Sequence, residues 1–362
     1  MYRSVVSFAG FNRSGVYCSI VPPYLLRRIA AQQEPRLSGA AEAARNALVH
    51  AKSIQAARAE TSPLALPGLR VAKPGPPERT IYDARSLEKL PGTPVRKEGQ
   101  PPTGDLATDE AYDGLGHTHR LYADAFGRDS IDGNGLPLDA TVHYGERYDN
   151  AFWDGSQMVF GDGDGEVFDR FTKSLSVIGH ELAHGVTQYS GGLNYRNQAG
   201  ALNESLSDVF GVLVEQYAKQ QSTAEASWLI GEGLFTDQVQ GAALRSMKAP
   251  GTAYDDDVLG KDPQPDSMDS YVRTSADYGG VHINSGIPNR AFCLVATALG
   301  GNAWDAPAQI WYDTLTGGTL KPNATFGAFA RATAASAKEL FGADSAAHDA
   351  VRSAWDTVKV KL

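Results

Sequence analysis

The sequence predicts an α+β chain of two lobes, a β-rich N-terminal lobe and an α-helical C-terminal lobe joined by a buried helix. Three observations predict it. Short β-type runs broken by Gly, Pro and Asp cover much of residues 79–160. Apolar periodicity of the 3.6 type covers most of the chain after Ser205. Between them, His180-Glu181-Leu182-Ala183-His184 sits in an apolar helical pattern. Ligands are bound in clefts between lobes, so the joining helix is expected across the cleft floor.

At 362 residues and 42% hydrophobic content the chain can bury one large core or two lobes. No stretch approaches ~18 uninterrupted apolar residues, so no membrane span is expected. The net charge of −9 is uneven: residues 1–50 carry six Arg against two Glu, a net +4, which leaves −13 on the rest. A basic N-terminal segment is attracted to such a body, and the acidic body argues against nucleic acid as a partner. Arg3, Arg13, Arg27 and Arg28 interrupt the apolar runs of the first thirty residues, so no classical signal peptide is read there. Secretion by another route, or a cytoplasmic location, is the expectation. Of the two cysteines, Cys293 lies in an apolar helical run and reads as a small buried hydrophobe. Cys18 is expected to pack in the same way, because a thiolate plugging a metal needs an electropositive site to ionise.

Taken in order, Val16 to Leu26 reads as apolar and extended, with Pro22-Pro23 excluding a helix there. Residues 39–60 are Ala-rich and expected helical up to Pro63. Residues 61–80 hold five prolines and read as an irregular connection. Arg79 to Asp83 and Thr93 to Lys97 read as strands flanking Pro91-Gly92, and Thr108 to Phe126 as a helix with Asp109 and Glu110 in its first turn. Thr141 to Tyr144 and Gln157 to Phe160 read as strands on either side of Asn150-Ala151-Phe152-Trp153, with Gly161 to Gly165 a tight turn. Helices are expected over 204–221, 287–300, 305–315, 325–341 and 344–358.

The chemistry concentrates on His180 and His184. Residues four apart share a helix face, so both imidazoles aim at one point with Glu181 beside it. Two neutral imidazoles side by side in a core are hard to satisfy without a cation. A tetrahedral zinc that keeps one position for water needs a third protein ligand, and Glu204, 24 residues past His180, has room to arrive on a second packed helix. Asp208, four residues on, and Asn203 suit the hydrogen-bond acceptors that orient ligating histidines.

Six stretches carry a family resemblance: Asn150 to Gly155, Gly161 to Gly165, His180 to Val186, Gly200 to Asp208, Leu244 to Met247 and Gly279 to Gly286. In order and spacing they resemble the thermolysin family of zinc metallopeptidases, from about Tyr112 to the C-terminus. Ile20-Val21-Pro22-Pro23-Tyr24-Leu25-Leu26 is similar to the short prosegment of protealysin-like members. The resemblance implies a zinc endopeptidase precursor that cuts peptide bonds on the N-terminal side of large apolar residues. It implies Glu181 as the base that assists water at the zinc, Tyr195 and His282 as donors to the developing oxyanion, and Asp277 as the residue holding His282. Asn150 and Ala151 would bind substrate backbone on a cleft-edge strand, Arg245 would grip the carbonyl past the cut, and Phe168, Val177, Leu229 and Leu244 match the specificity pocket.

The same comparison argues against the family's paired calcium site. Ser176, Ser227 and Leu229 replace three of its five acidic side chains, leaving Glu215 and Glu232, and Ala242 replaces an Asp of another site. Calcium takes six to eight oxygens with several carboxylates, so calcium is expected weak or absent. Residues 1–50 are expected to form an inhibitory prosegment, removed near His50-Ala51. In it the stiff Pro22-Pro23-Tyr24-Leu25 stretch is expected to dock in the cleft with little entropy loss. Residues 51–188 would form the N-terminal lobe including the His180 helix, and 189–362 the C-terminal lobe, in a monomer acting on protein and peptide substrates. An aminopeptidase would need an acidic cluster for a free α-amine near the cleft-edge strand, which is not seen. A non-catalytic module predicts loss of Glu181 or His282, and both are present.

Overall fold

The computed structural model describes residues 19–58 and 74–362. The N-terminal segment holds helix α1 (Pro23–Ala30), a 3₁₀ turn (Pro35–Leu37) and helix α2 (Ser38–Arg58). The next part holds β1 (Arg79–Asp83), β2 (Thr93–Lys97), α3 (Leu106–Phe126), β3 (Leu138–Val142), β4 (Ala151–Trp153), β5 (Met158–Phe160) and α4 (Leu175–Ser190). The remainder is helical apart from short two-residue strands: α5 (Asn197–Lys219), β6 (Leu229–Ile230), β7 (Arg245–Ser246), β8 (Asp255–Asp256), β9 (Gly260–Lys261), α6 (Asp277–Asn284), α7 (Gly286–Leu299), α8 (Ala306–Thr316), α9 (Phe326–Phe341) and α10 (Ala346–Thr357). This is the expected α+β division, with α4 between its two parts. Cys18 lies outside the described residues, and Cys293 is buried. Among the described residues no helix is long and apolar enough to cross a membrane.

One expectation is corrected at the start. Pro22-Pro23 does not keep the chain extended, because Pro23 opens α1. Proline is tolerated at the first helical position, where its missing N–H would have no partner, and only the residue before it must be extended, as Pro22 is at φ −64°, ψ 144°. Leu25, Leu26 and Ile29 then share a buried face. Helix α3 likewise starts before Thr108, since the Asp105 side chain accepts the Thr108 N–H at 2.8 Å as the N-cap.

The five strands form one sheet in the order β2-β1-β3-β5-β4, with β1, β3 and β5 parallel and the outer pairings antiparallel. Strand β4 is therefore an edge, and an edge strand offers unpaired backbone groups. In this structure Ser19 pairs with Phe152 across that edge.

The site is positioned by how closely α4 and α5 approach. A Cβ on Gly179 would lie 3.1 Å from the Gly211 Cα, and one on Gly211 would lie 2.5 Å from the Ser176 carbonyl oxygen. Glycine at both positions lets the backbones touch, which brings Glu204 up to the two histidines. Helix α5 begins seven residues earlier than the sequence suggested. Polar Asn203 and Ser205 mask its apolar pattern, yet both are buried.

Candidate metal centre

His180, Glu181 and His184 are all buried on α4. His180 Nδ1 lies 2.8 Å from Asp208 Oδ1, and His184 Nδ1 lies 2.8 Å from Asn203 Oδ1. Asp208 is a carboxylate and Asn203 donates its amide N–H to the Leu193 carbonyl at 3.3 Å, so both partners accept and both Nδ1 atoms carry the proton. The two Nε2 lone pairs then face each other at 3.1 Å, a repulsive arrangement that a cation between them relieves. Glu204 completes the trio, with oxygens 3.6 Å from His180 Nε2 and 3.8 Å from His184 Nε2. The ligand atoms of the three residues lie within 4.8 Å of one another. Two imidazoles and a carboxylate with oriented Nδ1 protons fit zinc with a position left over.

The remaining residues surround this trio. Glu181 Oε2 accepts the Trp153 N–H at 3.0 Å, which ties α4 to the edge strand β4. Tyr195 donates its hydroxyl to Glu204 and lies 3.2 Å from His282 Nε2. Asp277 accepts the His282 backbone N–H at 2.9 Å and faces its Nδ1 at 2.7 Å, leaving Nε2 toward Glu204 at 3.5 Å. Burial disfavours the charged ring, but the Asp277 and Glu204 carboxylates together outweigh it, so the pKa of His282 is raised. Helix α6, which carries both, was not read from the sequence. Tyr278, Gly279 and Gly280 inside it have positive φ, and at Gly279 (φ 92°) a Cβ would meet the Asn197 side-chain oxygen.

The structure joins two residues that sequence reasoning placed in separate roles. Asp208 holds His180 and is also clasped by Arg245, whose Nε and Nη2 each lie 2.9 Å from one of its oxygens. Asn289 adds a third donor to Asp208 at 2.8 Å, and Ser207 lies 3.0 Å from His184 Nδ1. Neither was read from the sequence, though both are polar positions in apolar helical runs. Burial opposes the Asp208 charge, yet Arg245 and His180 hold its carboxyl well below the usual range.

On the other side Arg245 Nη1 donates to the Ile20 carbonyl at 3.1 Å. Ile20 N–H donates to the Ala151 carbonyl at 3.1 Å, and Val21 N–H to Asn150 Oδ1 at 3.0 Å. The segment Ser19 to Val21 thus lies along the edge strand β4, just before the Pro22 to Leu25 stretch. Ile20, Val21, Phe168, Val177 and Leu244 are all buried in the hydrophobic core. Leu25 is buried too, and the Tyr24 hydroxyl lies close to that of Tyr254, buried well away from solvent.

Comparison with known proteins decides the family. Residues 84–188 match the model described as thermolysin metallopeptidase, catalytic domain, and residues 191–360 the model for its alpha-helical domain. The chain belongs to the thermolysin family of metallopeptidases. It is 50% identical over 352 residues to an extracellular metalloprotease of Pectobacterium carotovorum subsp. carotovorum, covering 97% of this chain and 98% of that one. It is 38% identical to a thermolysin of Alicyclobacillus acidocaldarius subsp. acidocaldarius, covering 77% of this chain and 50% of that one. Among solved structures it is similar to the precursor of protealysin, a metalloproteinase from Serratia proteamaculans, with 51% identity, a TM-score of 0.86, and coverage of 95% of this chain and 99% of that chain. The chain is a protealysin-like, thermolysin-family metallopeptidase precursor. The family is zinc-dependent, and the His180, His184, Glu204 trio fits a zinc site.

Proposed function

We propose that the protein is an endopeptidase that cuts on the N-terminal side of large apolar residues, and that residues 1–50 form an inhibitory prosegment removed on maturation. The observation that carries this reading is the triple grip on Ile20-Val21 by Ala151, Asn150 and Arg245. An extended segment added to a sheet edge is how a protease holds a substrate backbone. Ile20 then stands where the residue just past the cut would stand, its side chain fully buried in the same hydrophobic core as Phe168, Val177 and Leu244. Because this segment belongs to the same chain, it fills the cleft as a substrate would.

The roles follow. His180, His184 and Glu204 would hold zinc, which when bound supplies a Lewis acid and activates water. Glu181 takes a proton from the attacking water and passes it to the leaving amine. Tyr195 and His282 donate to the oxyanion, and Asp277 keeps the His282 ring turned so that Nε2 faces the site. Asp208 and Asn203 orient the histidines, and Asn150, Ala151 and Arg245 fix the backbone register that puts the scissile bond over the trio. The protein therefore comprises a prosegment (1–50), an N-terminal lobe (51–188) and a C-terminal lobe (189–362), and works as a monomer. Its relatives named as extracellular favour secretion.

We also propose that it works with little or no calcium. At the family's calcium position Ser176 is engaged with the Gly231 N–H at 3.1 Å, Glu215 is paired with Lys219, and Glu232 points to solvent. A large rise in melting temperature on adding calcium to chelator-treated, zinc-restored protein would overturn this. Cleavage preference is tested by mapping the cuts in a mixed peptide library after removal of the prosegment. The expected cuts precede Leu, Ile, Val and Phe, and cuts with no apolar preference would reject the reading.

A further inference from the structure

His50 fastens α2 to the catalytic part at a place the cleft chemistry does not use. Its Nε2 lies 2.8 Å from the Tyr144 hydroxyl. Its ring meets Tyr144 and Tyr148 edge-on at centroid distances of 5.5 and 5.4 Å, and Phe152 at 6.0 Å. The three rings also pack edge-on against one another, so the box has its own internal support. Phe152 belongs to the cleft-edge strand, and its backbone pairs with Ser19. The two ends of segment 19–50 therefore converge on one residue of β4.

The box suits an uncharged imidazole. A phenol donates to an unprotonated ring nitrogen, and burial, with Glu88 and Asp154 adding to it, pushes the Tyr144 hydroxyl up to about 12, so it stays a donor. Burial raises Tyr148 as well, and Phe152 brings no titratable group. Glu88, on the connection between β1 and β2, acts on the ring through space in favour of its charged form. Burial outweighs it and lowers the His50 pKa. A protonated ring would present an N–H to the Tyr144 hydroxyl and bring a charge into apolar surroundings.

We infer that Tyr144, Tyr148 and Phe152 form a docking box for the neutral imidazole of His50, a latch that holds the N-terminal segment on the precursor and opens in acid. This rests on the prosegment reading above. Docking is strongest above the free histidine value of about 6.5 and weakens as pH falls through it, by at most about tenfold per pH unit for one proton.

The test uses full-length zinc-loaded protein carrying Glu181→Gln, which cannot mature itself. Hydrogen exchange of the amides of residues 40–50 is measured at pH 7.5 and 5.5 and corrected for intrinsic rates. The parent should open up to about tenfold more at pH 5.5. Adding His50→Gln, which still accepts from Tyr144 but does not titrate, should remove most of that difference. Adding Tyr144→Phe, which keeps the ring, should raise opening at pH 7.5. Equal pH dependence in parent and His50→Gln protein, or none in the parent, would overturn the latch. Activity of the wild-type precursor is read separately: full activity with α2 still docked would reject inhibition and leave the latch standing.

Discussion

Arg245 holds the Asp208 carboxylate with two of its nitrogens and the Ile20 carbonyl with the third, at 3.1 Å. Asp208 in turn faces His180 at 2.8 Å. One guanidinium thus ties the backbone of the N-terminal segment to a histidine of the metal trio. Replacing it with lysine keeps the charge but loses the fork geometry. Arg245→Lys should lower kcat/KM of the mature enzyme by about 100-fold, a loss of about 3 kcal/mol in transition-state stabilisation. It should also lower the melting temperature, because Asp208 is buried and loses a donor. Unchanged kcat/KM on small apolar peptides would contradict this role.

Ile20 is fully buried, and shrinking it should loosen the N-terminal segment. Ile20→Ala is expected to cost about 2 kcal/mol of docking, or about thirtyfold in affinity. Intact precursor carrying it should show measurable peptide cleavage and mature faster. If neither changes, the segment does not restrain the enzyme.

The orientation of His184 depends on Asn203, whose side-chain oxygen is 2.8 Å from Nδ1. Partners of this kind are worth about 10–100-fold in metal affinity. Asn203→Ala should therefore give up zinc to a competing chelator at about 10–100-fold lower chelator concentration. Identical zinc retention would show that Ser207, 3.0 Å from the same nitrogen, suffices alone.

His143 lies between two carboxylates, 2.8 Å from Asp162 and 3.2 Å from Asp105, the cap of α3. The Asp162 hydrogen bond outweighs burial and raises its pKa from 6.5 to about 9. A raised folded-state value stabilises fully below the unfolded value and fades as pH climbs through the folded one. The melting temperature should therefore decline from pH 6.5 to about 9. His143→Gln should flatten that decline. The same slope in the variant would assign it to other groups.

The metal trio was legible because helical spacing alone puts His180 and His184 on one face, and apolar neighbours mark that face as buried. Strands β1, β2 and β5 and the late helices were legible for the same reason, that period follows burial. Strand β3 covers Leu138–Val142 and not Thr141 to Tyr144, because His143 turns left-handed at φ 52°. The two-residue strands β6 to β9 are too short to show a period. Helix α6 was not, since left-handed residues at Tyr278 to Gly280 break every periodic signal. Pro22-Pro23 misled because a helix start tolerates what a helix interior rejects. The clasp of Arg245 on Asp208 crosses 37 positions and depends on how α5 meets β7, which no local pattern encodes.

The most direct test follows the mass of purified full-length protein while it is incubated with a casein-type substrate, alone, with chelator, and with zinc restored. The account predicts cleavage that the chelator abolishes and zinc restores, together with loss of about fifty N-terminal residues, the segment read as the prosegment. Zinc bound at the trio with no peptide cut, even after a second protease has trimmed the N-terminus, would contradict it.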